Sequence, residues 1–293
     1  PAPFVDVLND VTCAGGLNGS VTIGVNNGTA PFQFSLDAGP NQASNTFGAV
    51  GAGAHTVTVT DANGCTGDVN FNINEPSILT YSTVVNDALC NGSCDGWIAI
   101  SANGAVPPYT YSDDNGLTFQ VLDTLQNLCA GNVDVVVSDA NGCLANSVVV
   151  INEPSALSSV QGFVDPQCHQ TPTGEISFAP AGGTPAYQYS VDNGNTFSGS
   201  SPVTGLMAGV YDVIVQDANG CQFADQVTLT DPPPFTFNFV ANNPSNCGAA
   251  DGSFEIVASG GSAPYTYSID GGLTTQLSNG LFTNLFSGLY NLV

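Results

Sequence analysis

Nine cysteines, two histidines and 24 acidic side chains are the groups in this sequence that could do chemistry, and no lysine or arginine accompanies them. The cysteines follow a rule. Cys65, Cys143 and Cys221 each close the phrase Asp-Ala-Asn-Gly-Cys, at spacings of 143 − 65 = 78 and 221 − 143 = 78 residues. A second series, Cys13, Cys90, Cys168 and Cys247, advances by 77, 78 and 79. Thiols at fixed spacing can pair, bind a metal or act as nucleophiles. Nucleophilic catalysis needs a base, and His55 and His169 lie in different repeats with no recurring Ser or Cys beside them. Asp113 and Asp114 are adjacent carboxylates, but acid/base work needs two carboxyl groups across a cleft with separated pKa values. The spacing of Cys90 and Cys94 falls in the zinc range, yet Cys90 belongs to the periodic series. The expectation is a protein with no catalytic residue and no cofactor, whose cysteines form disulfides.

The elements that carry these cysteines repeat with them. An aromatic pair steps along at Phe32/Phe34, Tyr109/Tyr111, Tyr187/Tyr189 and Tyr265/Tyr267, so four copies are present. Each has an apolar opening strand, a Gly-led strand ("GWIAIS", "GEISFA", "GSFEIV"), an Asp/Gly turn, and an alternating strand such as "VYDVIVQ" before the DANGC phrase. Six or seven short strands with turn signals roughly every 10 residues predict a β-sandwich per repeat. The boundaries fall at 1–75, 76–153, 154–231 and 232–293. Junctions such as "NINEPS" and "TDPPPF" contain Pro and almost no spacer, which predicts a semi-rigid rod of tandem domains.

Asp-x-Asn-Gly between two alternating strands is a hairpin signal, so Asp61, Asp139 and Asp217 are read as turn-forming residues. Within each repeat the two cysteine series are 52 or 53 residues apart, which predicts Cys13–Cys65, Cys90–Cys143 and Cys168–Cys221 bridges. Cys94 and Cys129 occur only in the second repeat and predict an extra bridge, with other pairings among its four cysteines left open. Cys247 would pair beyond Val293, the sequence being read as part of a longer array. Disulfides at this density imply an oxidising compartment.

The formal charge of −24 argues against nucleic acid and against an anionic membrane surface as partners. Hydrophobic residues make up 42% of the chain and charged ones 8%, so cores can form and disorder is not expected. No apolar run is long enough to span a bilayer, and the start "PAPFVDVLND" lacks the pattern of a signal peptide. Calcium is the one cofactor the acids suggest, at the junctions near Glu75, Glu153 and Asp231. Trp97, the lone tryptophan, is a candidate glycan contact. Asn18, Asn27 and Asn91 begin N-x-S/T sequons.

The phrases "PYTYS", Asp-Gly, "AGVYDVIVQDANGC" and "EP" together resemble the SprB-type repeat of very large cell-surface adhesins from gliding bacteria of the Bacteroidetes type. The resemblance runs through all four copies. It implies tandem immunoglobulin-like or PKD-like domains, export by the type nine secretion route, and a role in adhesion or gliding motility. The partners it implies are neighbouring repeats, an external surface or polysaccharide, and other copies in a filament. The tyrosine expected at the start of the strand before DANGC is present as Tyr211 and Tyr290 but replaced by His55 and Val133. "SDDNGLTF" and "SVDNGNTF" resemble the Asp-box, which implies that Asp114 and Asp192 tie together turns; "SLDAGPNQ" and "SIDGGLTT" match its first half. "DTL" resembles a Bacteroidetes-type O-glycosylation acceptor at Thr124.

Overall fold

Alternation of apolar and polar side chains along the strands lets each strand bury one face, and the chain folds accordingly into antiparallel pairs. The computed structural model describes residues 1–277 and 280–293. Among them are 21 strands in seven three-stranded sheets and no helix, so none could cross a membrane as one. The chain divides into two compact units, Pro1–Glu153 and Pro154–Val293.

In the first unit, β1 (Ala2–Asn9), β2 (Gly19–Asn26) and β4 (Thr46–Val50) form one sheet in the order β1-β2-β4. The strands β3 (Gln33–Leu36), β5 (Gly53–Thr60) and β6 (Thr66–Ile73) form the second, in the order β3-β5-β6. Val21, Ile23, Phe34, Phe47, Val57, Val59 and Ile73 fill the space between them. Complete burial of such side chains contributes about 1.5–3 kcal/mol each. The same plan recurs with β7 (Thr80–Asn86), β8 (Gly96–Asn103) and β10 (Thr124–Leu128) facing β9 (Thr110–Ser112), β11 (Gly131–Ser138) and β12 (Leu144–Ile151). Ile98, Ile100, Leu125, Val135, Val137 and Ile151 are its core. One sheet takes the first, second and fourth strands and the other the third, fifth and sixth. This is the immunoglobulin-like arrangement with one strand fewer in the larger sheet.

The second unit repeats it. There, β13 (Ser158–Val164), β14 (Gly174–Ala181) and β16 (Val203–Leu206) face β15 (Gln188–Ser190), β17 (Gly209–Gln216) and β18 (Gln222–Leu229). They are followed by a sheet of β19 (Thr236–Asn242), β20 (Gly252–Ser259) and β21 (Leu281–Leu285).

The Gly that leads each second strand has a packing cause. A Cβ on Gly19, Gly96 or Gly174 would lie 2.7, 3.0 or 2.8 Å from the carbonyl oxygen of Val50, Leu128 or Leu206, and against Ile73, Ile151 or Leu229 as well. Only a residue without a side chain lets the backbones approach this closely.

The two cysteine series lie at opposite ends of a sandwich. In the first repeat Val11 N–H donates to Asn74 O at 3.1 Å and Gly15 N–H to Glu75 Oε2 at 2.6 Å, so the Cys13 loop sits where β6 ends. Cys65 sits where β6 begins. Eight residues of strand at about 3.3 Å each separate them by about 26 Å, whereas a disulfide needs Cα atoms within about 7 Å. The expected Cys13–Cys65 bridge is therefore not formed. Cys13 is bonded instead to Cys143 of the second repeat, with Cα atoms 5.6 Å apart, and Cys65 is a free, exposed thiol. Because Cys143 is taken by Cys13, the expected Cys90–Cys143 bridge is absent too. Cys168 is likewise free and exposed, so Cys168–Cys221 is not formed; Cys247 is a third exposed thiol. Cys94 and Cys129 are bonded to one another.

Candidate functional site

The Asp-Ala-Asn-Gly-Cys turn is organised by its aspartate. Asp139 Oδ1 accepts from Asn141 N–H at 2.9 Å and Cys143 N–H at 2.8 Å, and its Oδ2 accepts from Val106 N–H at 3.1 Å. Asp61 holds Asn63, Cys65 and Thr29 in the same way, and Asp217 holds Asn219, Cys221 and Thr184. All three side chains are buried. At Asp61 the Cys65 N–H bond, helped by those from Thr29 and Asn63, outweighs burial and holds the carboxyl below its ordinary range. The glycine of each turn has φ between 81° and 87°, which an L side chain resists. One carboxylate thus fixes the turn and aims the cysteine after it.

The opposing loop is built by a different pair of contacts. Thr12 N–H donates to Asn18 Oδ1 at 3.0 Å, Leu89 N–H to Asp95 Oδ1 at 3.0 Å, Gln167 N–H to Thr173 Oγ1 at 2.9 Å and Ser245 N–H to Asp251 Oδ1 at 2.9 Å. Each closes a loop across six residues around a cysteine of the second series. Asp10, Asp87 and Asp165 then accept from Asn74, Asn152 and Thr230 N–H at 2.8, 2.8 and 2.7 Å, latching the end of the opening strand to the end of the last. The sequence reading missed both sets, although the 77- and 78-residue spacing of Asp10, Asp87 and Asp165 was there to be found.

Loop and turn meet across the junction of the first two repeats. The chain leaves β6 at Ile73 and enters β7 at Thr80, and in the connection between them Ser77 O accepts from Ala105 N–H at 2.9 Å; next to Ala105, Val106 O accepts from Ala140 N–H at 2.9 Å. The Asp139 turn therefore lies at the end of the second repeat that faces the first. Asn141 Nδ2 donates to Thr12 O at 2.9 Å, Cys143 Sγ is 3.3 Å from the same oxygen, and the Cys13–Cys143 bond closes the contact. It is a covalent staple between successive repeats.

The junction acids proposed for calcium are occupied by this framework. Glu75 caps Gly15, Glu153 accepts from Asn91 Nδ2 and Gly92 N–H, and Asp231 accepts from Gln170 N–H at 3.0 Å and pairs with His169 Nδ1 at 2.6 Å. Among the described residues no group of three His, Cys, Asp or Glu side chains is placed to hold a metal ion. Asn18 and Asn91 also use their side-chain nitrogens, on Thr12 Oγ1 and Glu153 Oε1. Asn27 is exposed with φ of 61°. Thr124 opens β10 with its hydroxyl on Asp123 Oδ1 at 3.0 Å. Trp97 is half-buried, beside Gly96 and opposite Asn86 in the sheet.

The Asp turns between the third and fourth strands are tied by their carboxylates. Ser112 Oγ, Thr118 N–H and Thr118 Oγ1 donate to Asp114 at 2.6, 2.9 and 2.7 Å. Asp192 receives the same three bonds from Ser190 and Thr196. Asp270 receives them from Ser268 and Thr274. The fourth-repeat loop is thus complete, and "SIDGGLTT" lacks only the terminal aromatic of the Asp-box pattern. These bonds, led by Ser112 at Asp114, Thr196 at Asp192 and Ser268 at Asp270, lower each carboxyl to about 2. A lowered carboxyl stabilises the fold above its unfolded value of 3.8 and loses that contribution as pH falls through about 2. Carboxyl carbon NMR is expected to place all three midpoints near 2; midpoints at 3.8 would mean that the bonds are not made in solution.

In the first repeat Asp37 is used differently. It accepts from Thr56 N–H at 2.9 Å and pairs with His55 Nδ1 at 2.8 Å, while His55 Nε2 lies 3.0 Å from Gly51 O. Tyr211 OH and Tyr290 OH donate to Met207 O and Phe286 O, also four residues back, at 2.8 Å each. His55 thus replaces the corner tyrosine with the same bond, and Val133 is the position that loses it. The Asp37 hydrogen bond raises the His55 pKa against the opposing effect of burial; burial of Asp37 is in turn outweighed by His55 and Thr56, and its pKa falls. His55 therefore contributes stability below 6.5 that is lost as pH rises through its raised value. Asp37 contributes above 3.8 and loses it as pH falls through its lowered value. The first repeat is expected to gain most from the pair between these limits. An imidazole NMR titration should place His55 above 6.5, and Asp37→Asn should lower it towards 6.5.

Four segments of the chain, 5–41, 82–118, 162–196 and 239–274, match the SprB repeat family model. The chain is built of SprB repeats. Each matched segment runs from the opening strand through the Asp turn, and in the first three SprB repeats the Asp-Ala-Asn-Gly-Cys phrase lies after it. No curated protein matches the chain. Among solved structures, these SprB repeats are similar to the N-terminal eight Ig domains of Down Syndrome Cell Adhesion Molecule (12% identity, TM-score 0.34, covering 93% of this chain and 42% of that one). Domains 1–6 of the surface layer protein SbsC are also similar (11% identity, TM-score 0.27, 97% and 50%). A third is the complex of Dpr2 Ig1-Ig2 with DIP-Theta Ig1-Ig3 (10% identity, TM-score 0.28, 78% and 99%). The chain spans less than half the length of the first of these and half that of the second.

Proposed function

We propose that this chain is a load-bearing stalk segment of a secreted cell-surface adhesin, used for surface attachment and gliding, and that it is not an enzyme. The observation that carries this reading is the Cys13–Cys143 staple. A bridge inside one repeat would protect that repeat alone, whereas a bridge across the junction gives tension a covalent path from one repeat to the next. The lack of Lys and Arg suits an extracellular setting, since it leaves no site for trypsin-like proteases. The SprB family match supports the surface location, the type nine secretion route and the gliding role as parts of the same proposal.

Single-molecule stretching between the termini tests the mechanical part. The staple withholds residues 14–142 from extension, a contour of about 460 Å at about 3.6 Å per residue. The oxidised chain is expected to release at least that much less length than the chain in reductant, since Cys90 and Cys221 are disulfide-bonded as well; equal lengths would rule out a load path through the staple. Antibody against the chain should label intact cells and block attachment, and labelling only after lysis would remove the surface reading. If attachment is to polysaccharide, Trp97→Ala should abolish binding on a glycan array.

A further inference from the structure

Asparagine followed by glycine occurs ten times in this sequence, and the structure gives the pairs different surroundings. Such a pair can react with itself, the glycine nitrogen attacking the side-chain carbonyl carbon of the asparagine, when that nitrogen has no other partner and the side chain lies beside it. Most of the pairs fail one condition. Gly64, Gly142 and Gly220 N–H donate to Asp61 O, Asp139 O and Asp217 O at 2.9, 3.1 and 3.1 Å. Gly116 and Gly194 N–H donate to Ser112 and Ser190 Oγ at 2.9 Å each, and Gly92 N–H to Glu153 Oε2. Asn18 is held on Thr12 by both ends of its amide. Asn27 has φ of 61°, a left-handed backbone that turns the side chain away from the following nitrogen. Asn279 lies outside the described residues. Asn103–Gly104 meets both conditions. Gly104 N–H donates to no backbone carbonyl among the described residues; its acceptor is Asn103 Oδ1 at 2.8 Å, which sets the amide carbon beside the nitrogen. Asn103 is exposed, so water reaches it. No side chain can shield the nitrogen, because a Cβ on Gly104 would lie against Ile78 O. The matching positions of the other repeats are Asn26, Ala181 and Ser259, and Asn26 is followed by Asn27 rather than glycine.

We propose that Asn103–Gly104 is a self-modifying site, at which the folded chain converts its own asparagine to aspartate and isoaspartate. Gly104 N gives up its proton and bonds to Asn103 Cγ, the bond from Cγ to the amide nitrogen breaks, and that nitrogen leaves as ammonia with the proton. Water then opens the resulting five-membered imide at either carbonyl, its hydroxyl going to carbon and its hydrogen to nitrogen. Opening at the main-chain carbonyl leaves isoaspartate, in which the chain runs through the former side chain and is one methylene longer. The extra length falls between β8 and Gly104, whose carbonyl accepts from Tyr109 OH at 2.6 Å and whose neighbour Ala105 donates to Ser77 O at 2.9 Å. Those bonds hold the second repeat to the segment that joins it to the first. The junction thus carries a one-way timer, and it stands whether or not the adhesin reading does.

The test is to age the purified chain in mildly alkaline oxygen-18 water and map it with pepsin in acid, which halts the reaction. The peptide carrying Asn103 is expected to exchange its amide for a labelled hydroxyl before any other Asn-Gly peptide, in two isomeric forms, and faster as the pH is raised. In denaturant its lead over Asn27 should vanish, since the lead comes from the folded geometry. Asn103→Ala, which installs the residue of the third repeat, should remove the signal, and retention of the Cys13–Cys143 link checks its fold. Hydrogen exchange at Ala105 N–H should be faster in the aged chain than in Asn103→Ala aged alongside it. An intact Asn103 after other pairs have reacted, loss at Asn27 as fast as at Asn103 in the folded chain, or a lead that persists in denaturant would each overturn the site; equal exchange at Ala105 would overturn its effect on the junction.

Discussion

Replacing Cys13 and Cys143 together by Ser is expected to lower the stability of the first two repeats by up to about 5 kcal/mol, the chain-entropy value for a bridge between residues 130 apart. For a unit of this size that corresponds to a fall in Tm of about 10 °C or more. The size of the loop is the reason. A bridge within one repeat would close about 52 residues and constrain only that repeat in the unfolded ensemble, whereas the observed one restricts both repeats and the junction. The coupling should change along with the stability. With the staple, unfolding of either repeat leaves its cysteine tethered to a folded neighbour; without it, calorimetry should resolve two transitions at different temperatures. An unchanged melting profile in the double variant would mean that the bridge contributes nothing to the folded state.

Asp139→Ala should be among the most damaging single substitutions. It removes the acceptor of Asn141, Cys143 and Val106 N–H from a site where the carboxylate is 6% exposed, and water cannot fully replace it. An unsatisfied buried donor costs about 1–3 kcal/mol, so the combined loss is about 4 kcal/mol once partial relaxation is allowed for. The effect reaches the junction, because the same carboxylate aims Asn141 and Cys143 at the Cys13 loop. Chemical denaturation should therefore find Asp139→Ala destabilised by several kcal/mol and slow to form the Cys13–Cys143 link. Asp139→Asn, which keeps one acceptor oxygen, should recover part of the loss. Asp113→Ala, at an exposed acid, should change stability by less than about 0.5 kcal/mol. Equal behaviour of Asp113→Ala and Asp139→Ala would refute the role given to the buried carboxylate.

The sandwich was legible because its signals are local. The alternation in "VYDVIVQ", the Gly-led strand and the Asn-Gly turn each fix backbone geometry within a few residues, and the structure has a strand or turn at each. Cys94–Cys129 was read correctly, but the pairing of the periodic cysteines was misread because a period erases the information that would choose between partners. Cys13 stands 52 residues before Cys65 and 130 before Cys143, and 130 is 52 plus one period, so spacing alone describes both pairings equally well. What separates them is direction: β6 carries the chain from the turn at one end of the sandwich to the loop at the other, and the next repeat brings its own turn back to that loop. His55 illustrates a smaller failure. A residue that looks unlike tyrosine makes the tyrosine's bond, because the corner needs a ring donor reaching a carbonyl four residues back and imidazole supplies one. The latches at Asp10, Asp87 and Asp165 left no local signal at all, since a single aspartate after a strand is common; only their shared period marked them.

The account turns on which cysteine Cys13 holds. Non-reducing peptide mapping decides it, with an Asp-directed protease because trypsin has no site in this chain. The peptide carrying Cys13 is expected to be linked to the one carrying Cys143, with Cys65 recovered as a free thiol. A Cys13 peptide linked to Cys65 would place the bridge inside one repeat and contradict the staple.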